Sequence, residues 1–183
     1  MLNDTQKEKL LQIARETIVS YLSCGKKPKF DVSDTDLCEE CGAFVTLHKD
    51  GNLRGCIGNI IGHEPLWETV SDMAVESATG DPRFPKVKKE ELPHIDIEIS
   101  VLSKPERVRS ADQIELGKHG VIVRKGFSSG VFLPQVATET GWSKEEFLSS
   151  LCSHKAGLSP DAWKDKTTEL YTFTAQVFGE KTK

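Results

Sequence analysis

The sequence predicts an α+β fold of mostly antiparallel sheets with flanking helices. Three observations carry that prediction. The turns at Asp50-Gly51 and around Gly126 each separate two β-prone runs, as in hairpins. Apolar residues recur at helical spacing before, between and after those hairpins. No regular strand–helix–strand rhythm, which would build a parallel sheet, runs along the chain.

Residues 5–24 read as an amphipathic helix. Thr5 and Glu8 have capping-box spacing, Leu10, Leu11, Ala14, Ile18, Tyr21 and Leu22 recur at helical intervals, and Gly25 ends the run. Ala43 to His48 is apolar and β-prone, and Leu53 to Ile57 returns beside it after the turn. Pro65 suits a first helical position, and Leu66, Val70, Met73 and Ala74 continue a buried stripe toward Gly80. The prolines of Asp81-Pro82-Arg83-Phe84-Pro85 force an irregular segment. Next comes the clearest strand, with Ile95, Ile97, Ile99 and Val101 alternating with His94, Asp96, Glu98 and Ser100. His119 to Arg124 and Gly130 to Leu133 form the second hairpin. Ser143 and Glu146 cap a helix carrying Phe147, Leu148, Leu151 and Cys152. Leu170 to Phe178 alternates as one last strand, with Tyr171, Phe173, Ala175 and Val177 on one face.

Composition bounds the function. A chain of 183 residues with 37% hydrophobic content and no repeat or low-complexity linker is expected to fold as one unit. Its 24 basic and 28 acidic residues leave a net charge of −4, which argues against a coat for nucleic acid or anionic lipid. The runs Lys86-Val87-Lys88-Lys89 and Lys26-Lys27-Pro28-Lys29 lack the interleaved aromatics of a nucleic-acid platform. No apolar run is long enough for a membrane span, and the polar start does not resemble a signal peptide, so a cytoplasmic protein is expected. Five cysteines, an odd number, are expected to stay reduced. Cys38 and Cys41 have the spacing of half a zinc site or a redox pair, but no second pair completes a site. No metal or cofactor is therefore assigned.

The run Leu53-Arg54-Gly55-Cys56-Ile57-Gly58 resembles the hallmark of the AMMECR domain family, whose members include the A component of the AmmeMemoRadiSam system. Gly42 to Leu47, Asp81 to Pro85, Glu98 to Ser103, His119-Gly120, Leu133 to Ala137 and Lys155 to Leu158, with Trp163, look like further family blocks in family order. They span about residues 40–178, so residues 1–183 are expected to form a single AMMECR-type domain, with the N-terminal helix packed on it. Cys38-Glu39-Glu40-Cys41 departs from the family pattern. The resemblance implies two unequal lobes built on antiparallel sheets. It also implies company, a Memo-type protein and a radical S-adenosylmethionine enzyme, and leaves the reaction open.

Residues two apart on a strand share a face, so Arg54 and Cys56 are expected to point one way and Leu53 and Ile57 into the core. Gly55 and Gly58 leave bare backbone where a ligand or another chain can approach. A guanidinium beside a thiol favours the thiolate and holds anions. The alternative is a buried cysteine and a structural Arg54 paired with Glu98. His94, Asp96, Glu98 and Ser100 form a polar stripe, but side chains two apart lie roughly 6–7 Å from each other, too far for one ion to take all of them. Glu98 and Ser100 fall in a family block and are kept as candidates. Asp81 and Arg83 sit on an irregular segment, where sites often lie. His119 is a candidate base, and Gln135 offers an amide to a ligand or caps a helix end.

Two functional readings follow. In one, an accessory or binding module docks a Memo-type or radical-S-adenosylmethionine partner through the glycine-rich strand and the segment Asp81–Pro85. In the other, an enzyme acts on a small anionic or polar substrate: Arg54 binds the anion, Cys56 serves as thiolate or acid, and Glu98 or His119 moves protons.

Overall fold

A capping box does open the first helix, α1 (Asp4–Cys24), but Asn3 and Gln6 build it rather than Thr5 and Glu8. Leu10, Ala14 and Ile18 are fully buried, as their spacing requires, and Gly25 ends the helix at φ 71°. The structure, a computed structural model, describes residues 1–180 and comprises two units, residues 1–102 with 176–180, and Ser103–Ala175. After α1 come β1 (Ala43–Lys49), β2 (Asn52–Asn59), α2 (Leu66–Thr79), β3 (Ile95–Leu102), β4 (Glu106–Val108), β5 (Gly120–Lys125) and β6 (Ser128–Phe132). Then follow α3 (Pro134–Thr140), α4 (Lys144–Ser150), β7 (Glu169–Phe173) and β8 (Ala175–Gly179). No helix among the described residues is long and apolar enough to cross a membrane.

The first unit is a four-stranded sheet in the order β2-β1-β3-β8, with β1 antiparallel to both β2 and β3. Asp50 and Gly51 both take positive φ, 50° and 78°, which matches the twist of a two-residue hairpin. Ala43, Val45, Leu47, Ile97 and Ile99 bury one face of the sheet in a core shared with Leu10 and Ile18 of α1 and Val70 and Ala74 of α2. Pro65 is the cap of α2 rather than its first residue. The first amides of α2, at Leu66 and Trp67, donate to the carbonyls of Glu39 and Leu37, so the preceding loop satisfies the helix start.

The second unit carries a sheet in the order β4-β7-β5-β6, again antiparallel. Val121, Val123 and Phe132 pack with Phe147, Leu148 and Leu151, and the Phe132 and Phe147 rings lie 5.2 Å apart. Ser143 and Glu146 cap α4 as expected, and a π turn, Leu151–Lys155, continues it. Two expectations change. Residues 170–178 are two strands in different sheets, because Ser103 exchanges two hydrogen bonds with Thr174 and breaks the run there. Val177 is accordingly exposed. His94 ends a 3-10 turn, Lys89–His94, instead of opening β3.

Candidate functional site

The hairpin of β1 and β2 is irregular at one residue, and that residue decides the site. Lys49 pairs with Asn52 and His48 with Leu53, but Leu47 pairs with Gly55, so Arg54 is a bulge. The bulge breaks the expected alternation. Leu53 is exposed rather than buried in the core, while Ile57 packs partly against it. Beyond the bulge, Thr46 faces Cys56 and Phe44 faces Gly58. Thr46 and Phe44 also pair with Glu98 and Ser100 of β3. Two cross-strand rows result, Cys56–Thr46–Glu98 and Gly58–Phe44–Ser100. In the first, Thr46 Oγ1 donates to Cys56 Sγ at 3.2 Å, and Glu98 stands one strand further on.

β2 is an edge strand, and the outward N–H and C=O of Cys56 would be open for another strand to pair with. The segment after α2 occupies them. Asp81 accepts the Cys56 N–H at 2.9 Å, and Arg83 Nη2 donates to the Cys56 carbonyl at 3.3 Å. Arg83 also donates to Asp81 through Nε at 3.0 Å and Nη2 at 2.7 Å, and its backbone N–H bonds the same carboxylate. The pair thus works as a surrogate strand. The Asp81 side chain is only 2% exposed, whereas that of Arg83 is 55% exposed and lies over the Phe84 ring. The Arg83 bonds hold the Asp81 carboxyl far below its usual range against the opposing effect of burial, with the Cys56 N–H adding to the effect. Asp81 in turn raises the Arg83 guanidinium.

Arg54 and Cys56 therefore have separate partners. Arg54 donates through Nε and Nη2 to both oxygens of Glu91, at 3.1 and 3.0 Å, and through Nη1 to the Pro85 carbonyl at 2.8 Å. Glu91, not Glu98, orients it, and Lys49 and the Lys88 N–H complete the carboxylate's shell. These bonds, Arg54 first, lower the Glu91 carboxyl to about 2. The guanidinium is a clamp on residues 85–91.

The close approach expected at the two glycines is made by the chain itself. A methyl group at Gly55 would overlap the Ser77 carbonyl of α2, and one at Gly58 would overlap the Phe44 ring. The Ser77 hydroxyl sits between the strands, accepting from the Ile57 N–H at 2.9 Å and donating to the Val45 carbonyl at 2.7 Å. Ser100 is buried. His119 and Gln135 belong to the second unit. His119 Nδ1 accepts the Glu115 N–H at 3.1 Å, and Gln135, behind Pro134 at the start of α3, has a buried Oε1 with no hydrogen-bond partner among the described residues. Among the described residues no three His, Cys, Asp or Glu side chains gather as a metal ion requires. Cys38 is exposed, with its thiol on the Val32 carbonyl.

Thr46, Ser77 and Glu91 escape sequence reasoning. Counting a regular hairpin back from Lys49 and Asn52 sets Thr46 opposite Gly55; only the bulge brings it to Cys56. Glu91 carries no signal beyond being one of two adjacent acids between Pro85 and Pro93.

The AMMECR1 family model matches residues 11–178. The chain belongs to the AMMECR1 family. It is 44% identical to a protein of Methanosarcina mazei over 99% of this chain and 94% of the relative, and 47% identical to one of Methanothermobacter thermautotrophicus over 93% and 92%. Among solved structures it is similar to an uncharacterized protein of Pyrococcus horikoshii, with a TM-score of 0.88 and 42% identity over 98% of this chain and 94% of that one. Within the residues this AMMECR1 chain shares with the family model, Leu53 to Gly58 lies on the bulged edge strand, and Asp81 to Pro85 is the segment that plugs it.

Proposed function

We propose that this AMMECR1 chain is an accessory binding component that presents the surface around Cys56 and Arg83 to a protein partner, of the Memo type or the radical-S-adenosylmethionine type. The observation that carries the reading is the division of labour between two arginines. Arg54 spends its donors on Glu91 and backbone carbonyls, while Arg83 stays more than half exposed, with Nη1 outside every hydrogen bond among the described residues. Pro82, Arg83 and Pro85 are exposed on a segment that prolines and the Asp81 bonds already hold in shape. Such a surface loses little conformational entropy on docking, and the open side of Arg83 suits a partner's carboxylate.

The test is maleimide labelling of the full chain with and without each partner type from the same genome, read by mass spectrometry. A bound partner shields Cys56 and leaves the labelling of Cys24 and Cys38 unchanged. If neither partner type co-purifies or protects Cys56, the reading fails.

A second reading, an enzyme acting through the Cys56 thiolate on a small anionic substrate, is favoured by the Thr46 hydroxyl donating to Sγ beside the Arg83 charge. Cys56→Ser separates the two. A binding component keeps its partner after that change, whereas the enzyme loses its activity.

A further inference from the structure

The two halves of the edge strand β2 are protected differently. The first half carries two devices that keep an edge from pairing with another chain, the bulge at Arg54 and the Asp81–Arg83 pair on the Cys56 backbone. The second half and the turn after it carry none. The run Gly58-Asn59-Ile60-Ile61-Gly62 contains no charge and no proline, and Ile61 is exposed.

The register shows what that half offers. Asp81 and Arg83 hold the Cys56 N–H and C=O on the side away from β1, so Cys56 and Thr46 face each other without exchanging backbone bonds. Pairs of that kind alternate along an antiparallel ladder. Gly58, two residues on and opposite Phe44, therefore turns its N–H and C=O to the same open side. Among the described residues no group outside the sheet bonds to either, and Gly58 is half-exposed.

We infer that an extended segment of the protein partner adds to β2 at Gly58 as an antiparallel strand and brings an acidic side chain to Arg83. This rests on the partner reading above and says how the partner is held. In antiparallel addition one partner residue exchanges both of its backbone bonds with Gly58. The next such position is Cys56, where the Asp81–Arg83 pair stops the added strand, so its end there lies against the guanidinium. Arg83 Nη1, outside every hydrogen bond among the described residues, donates to a carboxylate at that end. Ile61 supplies apolar contact at the other end. A second copy of this chain, pairing through its own β2, brings no acid to Arg83, because residues 52–62 contain none.

The experiment follows amide hydrogen exchange residue by residue in the full chain, alone and with the Memo-type or the radical-S-adenosylmethionine protein of the same genome. In the free chain the Gly58 amide is expected to exchange at least about tenfold faster than the Cys56 amide, which Asp81 holds. The bound partner slows Gly58 at least about tenfold, and slows it more than Ile57, whose N–H Ser77 already holds. Ile61→Lys, at an exposed side chain, sets a blocking charge on the edge and weakens partner binding about tenfold with an unchanged melting temperature. Added salt weakens binding of the unaltered chain more than binding of Arg83→Gln. Equal exchange at Gly58 and Cys56 in the free chain overturns the open edge. A partner that shields Cys56 from maleimide while Gly58 exchanges as before, or that binds Ile61→Lys in full, overturns the added strand and leaves the docking surface standing. No binding of either partner overturns both. A salt dependence kept in full by Arg83→Gln overturns the acidic contact, and slowing at Gly58 that grows with the concentration of this chain alone assigns the edge to a second copy instead.

Discussion

The Arg54 guanidinium donates through all three of its nitrogens, and the Glu91 carboxyl that receives two of those bonds is lowered from 4.5 to about 2. A carboxyl that binds its proton more weakly folded than unfolded adds stability above its unfolded value, and that stability drains away as pH falls toward the folded one. Glu91 and Asp81 both have this sign, so acid unfolding is expected to begin below about pH 4.5. Arg54→Ala relaxes Glu91 toward its ordinary value. The variant is expected to be less stable by about 2–4 kcal/mol at neutral pH, since a partly buried carboxylate loses its two-pronged partner and keeps only Lys49 and the Lys88 N–H. The gap to the unaltered protein should close as pH falls from about 4.5 toward 2. Urea unfolding at a series of pH values measures it, and a gap independent of pH would show that Glu91 is not what Arg54 stabilises.

Elements meet at glycines here. Gly55 lets α2 bring the Ser77 carbonyl onto β2, and Gly58 makes room for the Phe44 ring. Both glycines face backbone, since a methyl group at Gly58 would also lie 2.5 Å from the Ala43 carbonyl. Neither the last turn of α2 nor the neighbouring strand β1 can move alone in a packed structure. Gly55→Ala and Gly58→Ala are therefore each expected to cost about 2–4 kcal/mol, the first because α2 must shift and the Ser77 bridge between Ile57 and Val45 must stretch, the second because β1 and β2 must part at Ala43. Denaturant midpoints of the two variants measure it; an unchanged midpoint for either would mean that its backbone neighbour yields freely. The hairpin itself was legible from Asp50-Gly51 and the apolar alternation. The bulge was not, because one extra residue in a strand leaves no compositional trace when the residue is an arginine rather than a glycine.

At the scale of the whole molecule, the cysteines report on both units. Cys24 and Cys38 are exposed, Cys56 is half-buried, and Cys152 is fully buried in the second unit, where burial pushes its thiol up. Labelling is expected in that order. Cys152 should lag Cys24 by at least about a thousandfold, the factor that an opening free energy of about 4–5 kcal/mol imposes. Peptide mass spectrometry after timed alkylation reads all four at once. Rapid labelling of Cys152 in native buffer would mean that the core around Phe147 and Leu151 opens far more easily than its packing implies.

The α+β class, the two hairpins, the helix starts signalled by Ser143 and Gly25's stop were determined by the sequence itself, since each rests on periodicity or on a residue's own backbone preference. The family followed from short runs of residues, above all Leu53 to Gly58. Tertiary structure alone decided the partners: Glu91 for Arg54, the Asp81–Arg83 pair on the Cys56 backbone, Ser77 between two strands, and the break at Thr174 that sends β7 and β8 to different sheets. Each joins segments from separate elements, and such a meeting depends on register, on one bulged residue and on where a helix lies across a sheet. Local sequence carries none of these, because a side chain's preferences are satisfied equally well by any neighbour of the right charge and reach.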